Sequence, residues 1–250
     1  DMYYTGAYSL KSIGDISGWD VSSVTNMGAM FRKCFALQNL DIGSWDVHNV
    51  TNMSYMFDSC KALQNLDIGG WRWNANETKS MRNMFSGCTA LKTLDIGSWD
   101  VREVTNMESV FNGCTALQNL NISSWNVNKV TNMNYMFSNC SSLGELDLSS
   151  WEPAANVALA QIFRGCKNLT KLDIRNLGKN GVSIIEHAFG NVGSDSSGCV
   201  LNTGIVDLKD GLMSMKNLFN DSNIANIDLS GWKGLSNVND MSNMFNGAKV

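Results

Sequence analysis

The chain of 250 residues is 44% hydrophobic and only 17% charged, so it has the apolar material for a folded core and lacks the composition of a disordered polymer. A formal net charge of −4 offers no basic footprint for nucleic acid. No apolar run approaches the roughly 20 residues that a membrane-spanning helix needs, so insertion into a bilayer is not expected either.

Taken from the N-terminus, SLKSIGDISGW at residues 9–19 is an imperfect copy of a segment that becomes clear as ALQNLDIGSWDV at residues 36–47. There Leu37, Leu40 and Ile42 interleave with Asn39 and Asp41. Side chains alternate across a strand, so the leucines face a core and the polar residues face out. The next stretch, VTNMSYMFDSC at residues 50–60, sets Val50, Met53, Met56, Phe57 and Cys60 at three- and four-residue steps. That spacing predicts a short helix, with Thr51 as its N-cap. WRWNANETKS at residues 71–80 carries two extra residues and Trp73, which has no counterpart elsewhere. The pattern returns as WDVREVTNMESVFNGC at 99–114 and WNVNKVTNMNYMFSNC at 125–140, then loses its Thr-Asn-Met box in WEPAANVALAQIF at 151–163. Residues 189–211 lengthen their rung by four and are rich in Gly and Ser. Both irregular rungs, 71–80 and 189–211, are expected to bulge. The imperfect first copy, and the absence of a cap after the final MFNGAKV, suggest a piece of a longer protein.

Nine of the ten Phe, from Phe31 to Phe245, recur mostly 26 residues apart, and seven of the eight Trp keep nearly the same phase. A fixed period of this length is the signature of a solenoid whose rungs bury their faces only by stacking. The expected fold is α/β: a right-handed leucine-rich repeat solenoid of about nine rungs, each with one short parallel-sheet strand and one short helix. It forms a single curved domain over residues 1–250.

The recurring LDIGSWDV, VTNM, MF and C resemble the 26-residue repeat of BspA-like leucine-rich repeat surface proteins, a group also described in Listeria and Mycoplasma surface lipoproteins, over roughly residues 11–247. The resemblance implies an exported protein at the cell surface, acting in adhesion to host cells, matrix proteins or other microbes. It brings no catalytic residue set.

The candidate residues are read against that scaffold. Cys34, Cys60, Cys88, Cys114, Cys140 and Cys166 each follow a ladder Phe by three residues, too far apart in sequence for a zinc motif, and they read as buried free thiols; Cys199, in an irregular rung, is the better candidate for reactivity. The methionines share the core phase, and the two histidines, His48 and His187, lie in different rungs with no nucleophile motif near them, so no enzyme, cofactor or metal site is expected. Asp41, Asp67, Asp95, Asp147 and Asp173 recur at one outward strand position, joined by Asn121. They either meet a cation or a basic partner, or accept hydrogen bonds from the Gly/Ser turn that follows; the second reading is preferred. Trp73, with Arg72, Asn74 and Asn76, is either an exposed binding hot spot or a ring packed under its own loop. The function expected is a non-enzymatic recognition module that binds a host, matrix or microbial protein or glycan as a monomer. The alternative is a structural spacer that displays another domain. Repetition of outward Asn39, Asn65 and Asn119 favours the spacer.

Overall fold

The computed structural model describes residues 8–209 and 214–249, and across them the chain winds into a parallel β-solenoid. Its strands are short: β1 (Asn39–Leu40), β2 (Asn65–Leu66), β3 (Glu145–Asp147), β4 (Val157–Ala158), β5 (Lys171–Asp173), β6 (Val182–Ile184), β7 (Cys199–Asn202), β8 (Val206–Asp207), β9 (Ile224–Asn226) and β10 (Trp232–Lys233). β1 pairs with β2, and β3, β5, β7 and β9 form one four-stranded sheet. The Thr93–Asn119 bridge extends this ladder between them. From Asn39 through Asn65, Thr93, Asn119, Glu145, Lys171 and Val200 to Asn226 the chain makes seven turns. The expectation of nine rungs counted phenylalanines, and the outermost of these, Phe31 and Phe245, lie beyond that closed stretch.

A second parallel ladder runs along the Thr-Asn-Met box, through bridges from Asn26 to Asn52, from Ser80 to Asn106, from Asn106 to Asn132 and from Asn132 to Ala158, and then through β4 and β6. Asn52 caps the turn that follows, its Oδ1 accepting the Ser54 N–H at 3.0 Å. Thr51, expected to be the cap, instead donates its hydroxyl to the Thr25 carbonyl of the coil before.

No α-helix occurs among the described residues, so the α/β class gives way to a β-solenoid with a turn ribbon in place of each helix. In the first ribbon the N–H groups of Met30, Arg32 and Cys34 bond back to the carbonyls of Met27, Ala29 and Phe31, while Met27, Ala29, Phe31 and Lys33 donate to Asn52, Ser54, Met56 and Asp58 of the next coil. Alternate amides thus close a turn or tie two coils. Ala29 and Lys33 have φ of 58° and 61°, outside anything an α-helix accommodates. The reason is spacing. Phe rings of successive coils lie 5.2–5.9 Å apart, whereas a helix with its side chains is about 10–12 Å across and could not repeat at that interval.

The core is columnar. All nine Phe from Phe31 to Phe245 stack ring on ring. Indoles stack from Trp19 to Trp45 and from Trp99 through Trp125 to Trp151. Five buried indoles also donate to a carbonyl of the preceding coil: Trp45 to Ile16, Trp71 to Ile42, Trp99 to Ile68, Trp125 to Ile96 and Trp151 to Ile122, at 2.9–3.1 Å. The thiols of Cys60, Cys88, Cys114, Cys140 and Cys166 do the same to the carbonyls of Phe31, Phe57, Phe85, Phe111 and Phe137. Trp and Cys therefore recur as donors that fasten one coil to the last, in addition to the apolar surface they bury. For Trp that surface is roughly 150–250 Å², worth about 4–6 kcal/mol as an upper bound.

Part of the rung at 189–211 is packed into the coil stack. Val192, Gly193 and Cys199 are buried, and Cys199 opens β7 inside the four-stranded sheet, leaving Asp195 and Ser197 outermost in that stretch. Residues 210 and 211 lie outside the described residues.

Candidate recognition surface

The strand face is set by alternation: Leu40, Leu66 and Leu146 turn inward, so their polar neighbours line up on the outside. Parallel register places Asp147 opposite Asp173 and Asp173 opposite Asn202. The five aspartates therefore share one face, as the repeat phase requires, but they are not chemically alike. In the coils that carry them, Asp41, Asp67 and Asp95 are each followed two residues later by a glycine. A Cβ on Gly43, Gly69 or Gly97 would lie 2.8–3.0 Å from the carbonyl oxygen of Asp67, Asp95 or Asn121 in the next coil, so no side chain fits there. These three exposed carboxylates make no side-chain hydrogen bond or ion pair among the described residues.

Further along, Ser149 donates its N–H to Asp147 at 2.9 Å, and hydrogen bonds from Ser149 hold the Asp147 carboxyl below its ordinary pKa against the charge of Asp173. Asp173 is buried and paired with Arg175, whose hydrogen bonds lower its pKa most, with Asn202 adding a weaker contact. The turn-bonding reading thus holds for Asp147 and, through a guanidinium, for Asp173; it fails for Asp41, Asp67 and Asp95. Two grooves lie on this face. One of about 510 Å³ is bordered by Asp15, Asn39, Asp41, Asn65 and Asp67, and one of about 300 Å³ by Asn121, Glu145, Asp147 and Lys171. Among the described residues no group of three or more His, Cys, Asp or Glu is placed to hold a metal ion.

The sequence reading took the second outward row, Asn39, Asn65 and Asn119, as a plain repetition and missed the change beyond it. Asn39, Asn65, Thr93 and Asn119 give way to Glu145, Lys171 and Val200 in matching register, and Val200 is 60% exposed. The signal was present as a change of chemistry at one repeat position.

Arg72, Trp73, Asn74 and Asn76 sit beyond the Trp position of their coil, in the segment leading to the second ladder, and no hydrogen bond or ion pair joins them to the aspartate row. Arg72 and Asn76 are exposed and Asn74 is half-buried. Trp73 is buried, at 8% exposure, and packs edge-on against Trp99 with centroids 4.6 Å apart at 85°. This is the packed arrangement, not the exposed one. Its Nε1 is the one buried side-chain polar atom without a hydrogen-bond partner among the described residues.

None of the seven cysteines is joined in a disulfide, and all are buried. Cys199 does not stand apart as reactive: burial pushes its thiol up to about 12, as it does for Cys114 and Cys166. A thiol so far from ionisation is a poor nucleophile. Lys79, at the end of the Trp73 loop, pairs with Glu103 at 2.8 Å, and Lys129 binds the same carboxylate, holding its pKa down at about 2.

No described helix is long and apolar enough to cross a membrane. No curated protein matches the chain. Among solved structures, a leucine-rich repeat protein from Bacteroides ovatus is 19% identical, aligning over 74% of this chain and 61% of its own with a TM-score of 0.25. The TLR13–ssRNA13 complex is 17% identical over 88% of this chain and 38% of its own, at 0.29. A leucine rich cell surface protein from Faecalibacterium prausnitzii is 13% identical over 82% of this chain and 75% of its own, at 0.22. The chain thus spans less than two thirds of the first two. At the sequence level, the family described as Mycoplasma protein of unknown function, DUF285, matches residues 2–94, 79–197 and 202–250, nearly the whole chain, and the protein belongs to that family.

Proposed function

We propose that the protein is a non-enzymatic recognition module displayed at the cell surface, akin to the BspA-like surface proteins, and that it binds a host, matrix or microbial protein or glycan through its strand face. The observation that carries this reading is the contrast between inside and outside. The buried columns repeat Phe, Trp and Cys coil after coil, while the outward row changes from amides to Glu145, Lys171 and Val200. A stack held only for its length has no use for that change, and an exposed Val beside charged residues is the mixture that protein interfaces use. The thiols are buried and the two histidines lie in separate coils, so the described residues bring no exposed thiol to a histidine, which supports a role without catalysis.

The test is adhesion of the purified 250-residue chain to host cells and immobilised matrix proteins, beside a Glu145→Ala/Lys171→Ala/Val200→Ser triple variant. The expected outcome is loss of adhesion at unchanged Tm. Equal adhesion by both proteins would move the site elsewhere. No adhesion by either would favour the spacer reading, which the repeated Asn39, Asn65 and Asn119 support.

A further inference from the structure

The two-residue insertion at residues 71–80 departs from the rest of the core in its hydrogen bonding. Trp45, Trp71, Trp99, Trp125 and Trp151 all donate Nε1–H to a carbonyl of the preceding coil, whereas the Trp73 Nε1, also buried, donates to nothing among the described residues. A buried N–H without an acceptor is destabilising, and native structures rarely keep one. The loop around it is lightly held. Trp71 is fastened to Ile42 and Thr78 to Val50, but between them residues 72–77 make only local hydrogen bonds: Arg72 to Gly69 and Trp71, Asn76 and Glu77 to Asn74, and, accepted by the loop's own carbonyls, Thr78 to Asn74 and Lys79 to Asn76. What holds the loop down is the contact of Trp73 with Trp99 and the burial of Ala75. Arg72, Asn76 and Glu77 already face solvent.

We infer that residues 72–77 form a hinged flap, pivoting at Trp71 and Thr78, which opens to bring the Trp73 indole to the surface and give its N–H an oxygen acceptor from outside the coil stack. Opening costs the edge-on ring contact and the burial of Trp73 and Ala75, and gains a hydrogen bond for the orphaned donor, so the open form is the minor one. Every neighbouring indole would have to break a hydrogen bond to do the same. Segments with few fixed hydrogen bonds open locally without global unfolding. The device holds whatever the protein binds, so its failure and that of the recognition reading are separable.

Limited oxidation of the native protein with N-bromosuccinimide, read by peptide mass spectrometry, tests it. Trp73 is expected to be oxidised directly after Trp19, which is 52% exposed, and about tenfold faster than Trp71, Trp99 and Trp125. Trp73 as protected as Trp99 would overturn the flap. A second measurement compares Trp73→Phe with Trp71→Phe, each keeping a ring and losing the N–H. Trp73→Phe is expected to keep or raise Tm and Trp71→Phe to lower it; an equal loss in both would mean that the Trp73 N–H has an acceptor in the closed state, and the proposal would fail.

Discussion

The coils that carry Asp41, Asp67 and Asp95 and those that carry Asp147 and Asp173 share one Phe column inside and differ outside. In both halves the Phe column runs unbroken, as in Phe57 on Phe85 and Phe189 on Phe219. Outside, the first three carboxylates, each followed by a glycine two residues on, make no hydrogen bond among the described residues, whereas Ser149 and Arg175 bind the last two. Stacking governs positions that must match a neighbour on both sides. It leaves free those that point away, and function can only be written on the second kind.

The sharpest way to break that comparison is to attack the shared interior. Phe111→Ala and Phe219→Ala should each cost about 3–5 kcal/mol, because both rings are fully buried and stacked on two sides. Urea denaturation of the two variants checks it, and a mild effect in only one would show that the halves are not equivalent inside. The exterior difference is tested by an exchange of residues. Gly97→Ser forces a side chain against the Asn121 carbonyl and should cost about 1–3 kcal/mol, while Ser149→Gly, which loses a hydroxyl but no packing, should cost under about 1 kcal/mol.

Smaller effects refine the picture. Gly113→Ala should cost about 1 kcal/mol, because φ is +74° there although the nearest atoms, in Gly87, are 3.7 Å from the added methyl. Native protein should leave Ellman's reagent unreacted and release seven thiol equivalents on unfolding; early reaction of Cys199 alone would return it to the surface. The smallest effect is electrostatic. The Glu103 carboxyl is held at about 2, against 4.5 ordinarily, by Lys129 and Lys79. A depressed folded-state pKa contributes stability above the unfolded pKa and loses it as pH falls through the folded one. Acid titration of Glu103→Gln should therefore lack a small loss of stability that the parent shows between about pH 4.5 and pH 2. At an exposed site it will be modest.

Much of this was legible in the letters. The spacing of Phe and Trp specified a solenoid, and the alternation around Leu40 specified which residues face out. The turn ribbon was mistaken for a helix because both bury residues at three- and four-residue steps. Gly87, Gly113 and Gly165 directly precede Cys88, Cys114 and Cys166, at the end of the supposed helix, and they hold the left-handed φ that the ribbon needs. Trp73 was ambiguous in sequence because an unmatched aromatic has the same letters whether it projects or packs.

By itself, the sequence determined the period, the inward and outward sets, and the columns of Phe, Trp and Cys, since a residue that repeats at a fixed interval must meet its own copies when coils stack. Tertiary structure alone decided three matters: that each rung turns by a ribbon, that the indoles and thiols fasten coil to coil, and that Trp73 lies inside without an acceptor. Each depends on the distance between neighbouring coils, a quantity that no single coil encodes.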